Sequence, residues 1–300
     1  MLTIIGTMKK KIIFILNPIS GTVSKAGIPK LIEERLDKET FDYDIAETEY
    51  AGHATELAKK AAEKGVDIVV AIGGDGTVNE VGRALINTET AMAILPCGSG
   101  NGLARHLRLP MNLKKCIDII NMCDIHSLDY GIINQHPFFC TCGMGFDAFI
   151  SMKFANAGKR GPITYVQQVL EEGVKYVPET YEIEDEDGIQ HYKAFLVSAA
   201  NASQYGNNAY IAPQASMSDG LLDIIIMEPF DIIDAPQVAI ELFNKTLDKN
   251  LKIKTFKAKG IGTIADVVIN HHGTNSGWFG FPAEAYKGVT YQHQSTDVCA

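Results

Sequence analysis

The sequence predicts an α/β N-terminal domain on a doubly wound parallel sheet, followed by a β-rich sandwich domain. Three observations carry this. Residues 8 to about 125 alternate short apolar runs with helical patterns, the signature of a parallel sheet with helices on both faces. Three of the turns that follow strands in that half carry glycine, at Gly21, Gly73 to Gly76 and Gly98 to Gly102. Beyond about residue 126, strand-like runs follow one another with few helices between them.

In order, Lys11 to Leu16 reads as a buried strand that stops at Asn17-Pro18-Ile19-Ser20-Gly21. Ile28 to Leu36 is helical, Tyr43 to Thr48 a strand, and a second helix begins near Gly52-His53-Ala54. His53 there is either a phosphate contact or a capping, solvated histidine. Asp67 to Ala71 is a buried strand, and Ile72-Gly73-Gly74-Asp75-Gly76-Thr77 turns from it into a helix carrying Val78, Val81 and Leu85. Glycines permit positive φ and close backbone approach, and the new helix offers unpaired N–H groups and a positive dipole end to an anion. A carboxylate in such a turn suits a metal ion or a proton from a hydroxyl, so this stretch points to phosphoryl transfer. Ala91 to Leu95 is the next strand and ends in Pro96-Cys97-Gly98-Ser99-Gly100-Asn101-Gly102; Asn112 to Met122 is helical.

In the second half, Ser127 to Gly131, Pro137 to Cys142, Thr180 to Glu184, Gln190 to Ala200 and Leu221 to Met227 read as strands. Helices are expected at Phe146 to Ala155, Tyr165 to Tyr176 and Ala235 to Leu247, with an acidic hairpin turn from Glu184 to Gly188. Lys252, Lys254, Lys257 and Lys259 fit either an anionic lipid surface or an edge strand blunted by charge.

The 300 residues are 46% hydrophobic and 21% charged, with a formal net charge of −9, which argues against a general nucleic-acid binder. No run approaches a membrane span. The basic start at Lys9-Lys10-Lys11 precedes too short an apolar run for a signal peptide, and residues 1–8 read as an extension with Met8 as an alternative start. The six cysteines lack zinc spacing and read as reduced core thiols, with Cys140 and Cys142 on one face of a strand. A cytoplasmic location is expected, with any membrane contact peripheral, on the inner face of the cell membrane.

The three glycine turns together resemble the catalytic domain of the diacylglycerol kinase and sphingosine kinase families, most of all the bacterial soluble lipid kinases. Gly143-Met144-Gly145-Phe146-Asp147-Ala148 and Ser218-Asp219-Gly220-Leu221-Leu222-Asp223 resemble motifs of the same family's C-terminal domain. The likeness runs from about residue 9 to 258. It implies a catalytic domain over 9–126 and a lipid-kinase C-terminal domain over 127–259, with ATP in the cleft between them. Asn17, Ser20 and Gly21 would line the nucleotide beside Thr48. Gly73, Gly74, Asp75, Gly76 and Thr77 would cradle its phosphates, with Asn79 and Glu80 closing that site and Ser99 offering a hydroxyl. Arg105 would meet phosphate or lipid headgroup, or serve as a structural arginine. A Mg²⁺ would be held by the Asp219 side chain and the main chain of Ser216 and Leu221, and Asp129 matches a family carboxylate at the domain junction. The implied reaction moves the γ-phosphate of ATP to a primary hydroxyl of a diacylglycerol-like or sphingoid lipid. A homodimer is left open.

The family's C-terminal Gly/Asp-Gly-Glu base motif is absent. Instead, Gly260 to His272 resembles the first conserved region of α-amylases, where the match to Asn270 binds Ca²⁺ and the match to His271 touches sugar. Residues 260–300 are therefore expected to be a foreign, irregular tail that leaves a sheet edge open. The amylase carboxylates are missing, so glycoside hydrolysis is rejected. With the usual base gone, Asp75 is the expected catalytic carboxylate. The alternatives are a catalytically impaired homologue that binds ATP and Mg²⁺, and a kinase for a soluble substrate of the NAD kinase type.

Overall fold

The computed structural model describes residues 9–21, 24–146, 173, 176–185, 188–231, 233–263, 267–269 and 294–299. The extension 1–8 and the expected helices over 146–155 and 165–176 fall wholly or mostly outside the described residues.

The first layer is a seven-stranded sheet in the order β2-β1-β3-β4-β15-β5-β6. β1 (Lys10–Leu16), β2 (Phe41–Glu47), β3 (Ile68–Gly73) and β4 (Ala91–Pro96) run parallel. Alternation along β3 shows why helices lie on both faces. Val69 and Ala71 pack with α2 (His53–Glu63) and α3 (Asp75–Leu85), while Ile68, Val70 and Ile72 pack with α1 (Ile28–Arg35) and α5 (Leu113–Met122). A strand buried on both faces reads as a continuous apolar run, which is how β3 and β4 appear in the sequence. The α5 start is fixed by its N-cap Asn112, whose side chain accepts from the Lys114 and Lys115 N–H groups.

β5 (Ile125–Ile133) and β6 (His136–Phe138) stay in this first sheet, so the expected boundary at 126/127 falls inside β5. The chain then forms a five-stranded sheet, β12-β11-β10-β7-β14, and a three-stranded sheet, β13-β8-β9. Here β7 is Thr141–Gly145, β8 Glu179–Asp185, β9 Gly188–Ala194, β10 Leu196–Ala200, β11 Leu222–Met227, β12 Ile253–Ala258, β13 Gly262–Thr263 and β14 Val267–Ile269. Met144, Val197, Ile224 and Ile226 of the larger sheet share a buried cluster with Tyr181, Ile183 and Ala194 of the smaller one. The other face of the larger sheet is covered by α6 (Ala235–Asn244), through Val238 and Leu242.

Two expected strands are each divided. The run 190–200 breaks at Phe195, where the chain passes from one sheet to the other; the Phe195 ring packs against Phe146, Tyr176 and Phe230. The run 137–142 breaks between β6 and β7. As a result Cys140 lies in the first domain's core and Cys142 in the sandwich core, not on one strand face as expected.

The tail pairs more regularly than the sequence suggested. β13 pairs with β8, and β14 pairs along the edge of β7, whereas the tail was expected to leave a sheet edge open. β15 (Gln294–Cys299) enters the first sheet between β4 and β5. The remaining tail residues lie outside those described.

Candidate active site

All three glycine turns leave the C-terminal ends of β1, β3 and β4, the edge at which open α/β sheets bind ligands. They touch one another through bare backbone. A Cβ on Gly21, whose φ is +59°, would lie 2.2 Å from the Cys97 carbonyl oxygen. A Cβ on Gly98 would lie 2.3 Å from the Gly74 Cα. Glycine is required at these contacts because any side chain would force the turns apart.

Side chains complete the arrangement. Asn17 donates through Nδ2 to the Thr77 hydroxyl at 3.0 Å, and its Oδ1 accepts from the Ile19 N–H at 3.1 Å. This ties the first turn to the first turn of α3. Ser20 is buried, and its hydroxyl donates to the Asn17 carbonyl at 3.0 Å. Thr48 is buried just beyond β2, its N–H on the Leu16 carbonyl, so it lies beside Asn17. Gly74 is the α3 N-cap, so the N–H groups of Asp75, Gly76 and Thr77 are among the orphan donors of that helix start. Ser99 is exposed on the third turn.

Asp75 lies between two helix starts. Its Oδ1 accepts from the Leu103 N–H at 3.2 Å, at the beginning of α4 (Gly102–His106), and a Cβ on Gly100 would touch its Oδ2 at 3.3 Å. Burial pushes its carboxyl pKa up; the backbone N–H groups of Leu103, Gly102 and Asn101 pull the other way without cancelling it. Asn79 is buried with its Oδ1 unpartnered.

Glu80 departs from expectation. Its carboxylate accepts from the Gly52 N–H at 3.1 Å, at the start of α2. Gly52 is the α2 N-cap and has no side-chain oxygen, so Glu80 supplies one from α3 instead of closing the glycine turns. Burial raises its pKa, opposed by the Gly52, Ala54 and Thr55 N–H groups at the start of α2 and by Arg83. His53 acts locally: its Nδ1 accepts from the Glu49 N–H at 3.1 Å and its ring stacks on Tyr50. Arg105 takes its structural reading, donating to the Gly100 carbonyl at 3.1 Å and to Asn208 at 3.3 Å.

Ser216, Asp219 and Leu221 form one loop, but its donors do not suit a resident Mg²⁺. Asp219 Oδ1 accepts from the Leu221 N–H at 3.1 Å, and Oδ2 lies 2.9 Å from the Lys257 ammonium. A divalent ion on Asp219 would meet that ammonium. The loop does reach the domain junction, because Asp129 accepts from the Gly220 N–H at 2.9 Å and donates its own N–H to Met217 at 2.7 Å.

Comparison with known proteins settles the family. Residues 11–133 match the model of the diacylglycerol kinase catalytic domain, and 140–271 match the YegS C-terminal NAD kinase beta sandwich-like domain. A protein of Escherichia coli O17:K52:H18 named "Probable lipid kinase YegS" is 30% identical over 207 residues, covering 67% of this chain and 69% of that one. The chain belongs to the diacylglycerol kinase/YegS family of lipid kinases. A protein named diacylglycerol kinase in Staphylococcus saprophyticus is 27% identical over 277 residues, 90% of each chain. A crystal structure of a diacylglycerol kinase from Bacillus anthracis str. Sterne shares the fold, with a TM-score of 0.70 at 20% identity over 98% of this chain and 97% of that one. The C-terminal model crosses residue 260 and reaches Asn270 and His271, the two positions whose amylase likeness suggested calcium and sugar contacts. Both side chains lie outside the described residues.

Within this lipid kinase, sequence reading gave no role to several residues that hold the third turn. Asn101 adopts φ 53°, and its side chain accepts from the Gly98 N–H at 2.8 Å while donating to the Gly98 carbonyl at 2.9 Å. Asparagine's tolerance of the left-handed region was the available signal. The loop 203–208 of the second domain closes on the same turn, with the Asn207 N–H on the Gly100 carbonyl at 3.0 Å. His106 Nδ1 accepts from the Ser203 N–H at 3.0 Å and lies 2.9 Å from its hydroxyl. No local pattern announces those contacts, because they join residues about a hundred positions apart.

Proposed function

We propose that this protein is an ATP-dependent lipid kinase that transfers the γ-phosphate of ATP, supplied as its magnesium complex, to a primary hydroxyl of a diacylglycerol-like or sphingoid lipid. The observation that carries the reading is the convergence of the three glycine turns. Gly21, Gly74 and Gly98 put backbone against backbone at the sheet's C-terminal edge, beside the first-turn N–H groups of α3. Such donors favour phosphate oxygens, and phosphoryl transfer depends mostly on positioning and charge stabilisation.

Asp75 takes the acceptor's proton in this scheme. A carboxyl whose pKa burial has raised accepts a proton more readily than an ordinary aspartate, which suits a base that takes the hydroxyl proton and releases it to water before the next turnover. In this scheme the lipid reaches the cleft from the membrane surface, by peripheral contact at the inner face of the cell membrane; among the described residues no helix is long and apolar enough to cross a membrane. The net charge of −9 leaves nucleic acid out of the scheme. A homodimer is compatible with it.

The test is phosphate transfer from ATP to dioleoylglycerol or sphingosine in mixed micelles by the purified full chain. Lipid-dependent transfer is expected, and Asp75→Ala should lower it about 10²–10⁴-fold, the usual contribution of a positioned base. A second reading has its own support: Asp75 already serves Leu103 as a helix cap, and the family's C-terminal base motif is absent. In that case ATP would raise the melting temperature while transfer stays at background in both proteins. No thermal response to ATP would reject both readings.

A further inference from the structure

We infer that the loop from Ser216 to Leu221 carries its own counter-cation, the Lys257 ammonium, in the place where a divalent ion was expected. The antiparallel register of β11 and β12 sets Lys257 directly opposite Asp223. From there its Nζ reaches Asp223 Oδ2 at 2.8 Å and Asp219 Oδ2 at 2.9 Å, so one ammonium bridges two carboxylates. Opposite charges at directly facing cross-strand positions stabilise a sheet pair. Asp219 is fixed from its other side by the Leu221 N–H.

The chemistry of the donors favours the lysine. Magnesium requires near-octahedral oxygen ligands at about 2.0–2.1 Å. Here the nearest carboxylate already has one oxygen on an N–H and the other on an ammonium. Lysine is a compact point charge with three donors, two of which these carboxylates satisfy. Asp223 is well covered, with only 13% of its side chain exposed, so an uncompensated charge there would be costly.

The consequence is structural independence from metal. The same loop donates the Gly220 N–H to Asp129 and accepts the Asp129 N–H at Met217. Lys257 therefore positions the segment that braces the domain junction, and magnesium is needed only with the nucleotide.

Thermal unfolding of the nucleotide-free full chain tests this without reference to activity. Wild type should melt within about 1 °C of the same temperature in EDTA and in millimolar MgCl₂, because nothing in the folded state binds the ion selectively. Lys257→Met should melt about 3–6 °C lower in EDTA, as expected for losing two partly exposed ion contacts, one of them to a well-covered carboxylate, in a chain of this size. Recovery by MgCl₂ would show that the vacated position accepts a divalent ion. Lys257→Arg should behave as wild type and carries the test if Lys257→Met fails to fold. A wild-type melting temperature that falls in EDTA and returns with magnesium would overturn the inference, as would an undiminished Lys257→Met.

Discussion

Asp75 and His106 show how single residues couple the chemistry of this protein to its stability. Burial raises the Asp75 pKa, so the folded state holds that proton more tightly than the unfolded chain. Between the ordinary aspartate value and the raised one, folding stability from this group falls as pH rises. Asp75→Asn removes the buried charge and keeps an oxygen for the Leu103 N–H. It should melt no lower than wild type at pH 8 while losing transfer as severely as Asp75→Ala; a large drop in melting temperature would mean that the carboxylate is mainly structural. His106 has the opposite sign. Burial, with Arg108 adding to it, lowers its pKa from 6.5 to about 4. The unfolded chain therefore takes up the proton first, and stability is lost as pH falls from about 6.5 towards 4. The Ser203 N–H requires a neutral Nδ1, so protonation also removes a link between the third turn and the second domain. His106→Gln should flatten the melting temperature across that pH window, measurable by scanning fluorimetry at constant ionic strength.

At the scale of elements, the glycine turns were legible as anion-binding candidates because strand, glycines and helix are adjacent in the chain. That they form one surface was not, since Gly74 and Gly98 are brought together only by the pairing of β3 with β4. The contact predicts a sharp effect. Gly98→Ala would place its methyl 2.3 Å from the Gly74 Cα and 2.8 Å from Asn101 Oδ1. Backbone cannot yield there cheaply, and overpacking of this kind costs about 1–3 kcal/mol. The variant should fold with a lower melting temperature and lose the ATP-dependent thermal shift, whereas Gly65→Ala, with φ +67° and no atom within 4 Å, should lose some stability but keep the shift. Glu80 marks the limit of motif reading at this scale. Its place beside the glycine turn suggested a ligand contact, but α2 starts at a glycine that cannot cap itself, and the nearest carboxylate serves it.

For the whole molecule, the order of strands decides the role of the chain's end. β15 comes from the last residues of the sequence, yet it separates β4 from β5 and pairs with β5 over six positions. Truncation after residue 293 would leave both neighbours with unpaired edges inside the sheet. Such a protein should melt at least about 5 °C lower, a loss of a few kcal/mol for a chain of this size, and should show greater aggregation by light scattering. An unchanged melting temperature would show that the sheet closes without that strand. The second sheet gives the same lesson through β14, where Val267–Ile269 occupies the edge of β7 within the stretch matched by the C-terminal family model.

By itself, the sequence determined the α/β and β-rich halves, the order of the elements from β1 to α5 and the three turns, because hydrophobic period and glycine placement are local properties. It left two readings of the lysine row, anionic lipid surface or charged edge strand, and β12 does lie at a sheet edge. Tertiary structure decided what the polar side chains do. Lys254 pairs with Glu228, Lys252 with Asp234 and Lys257 with two aspartates, so the lysine row serves ion pairs within the fold. It assigned Glu80 to a distant helix start and Asp219 to an ammonium, and it returned β15 to the first sheet. Charge and hydrogen-bond partners are chosen by what folding brings within about 3 Å, a distance that residue spacing along the chain does not encode.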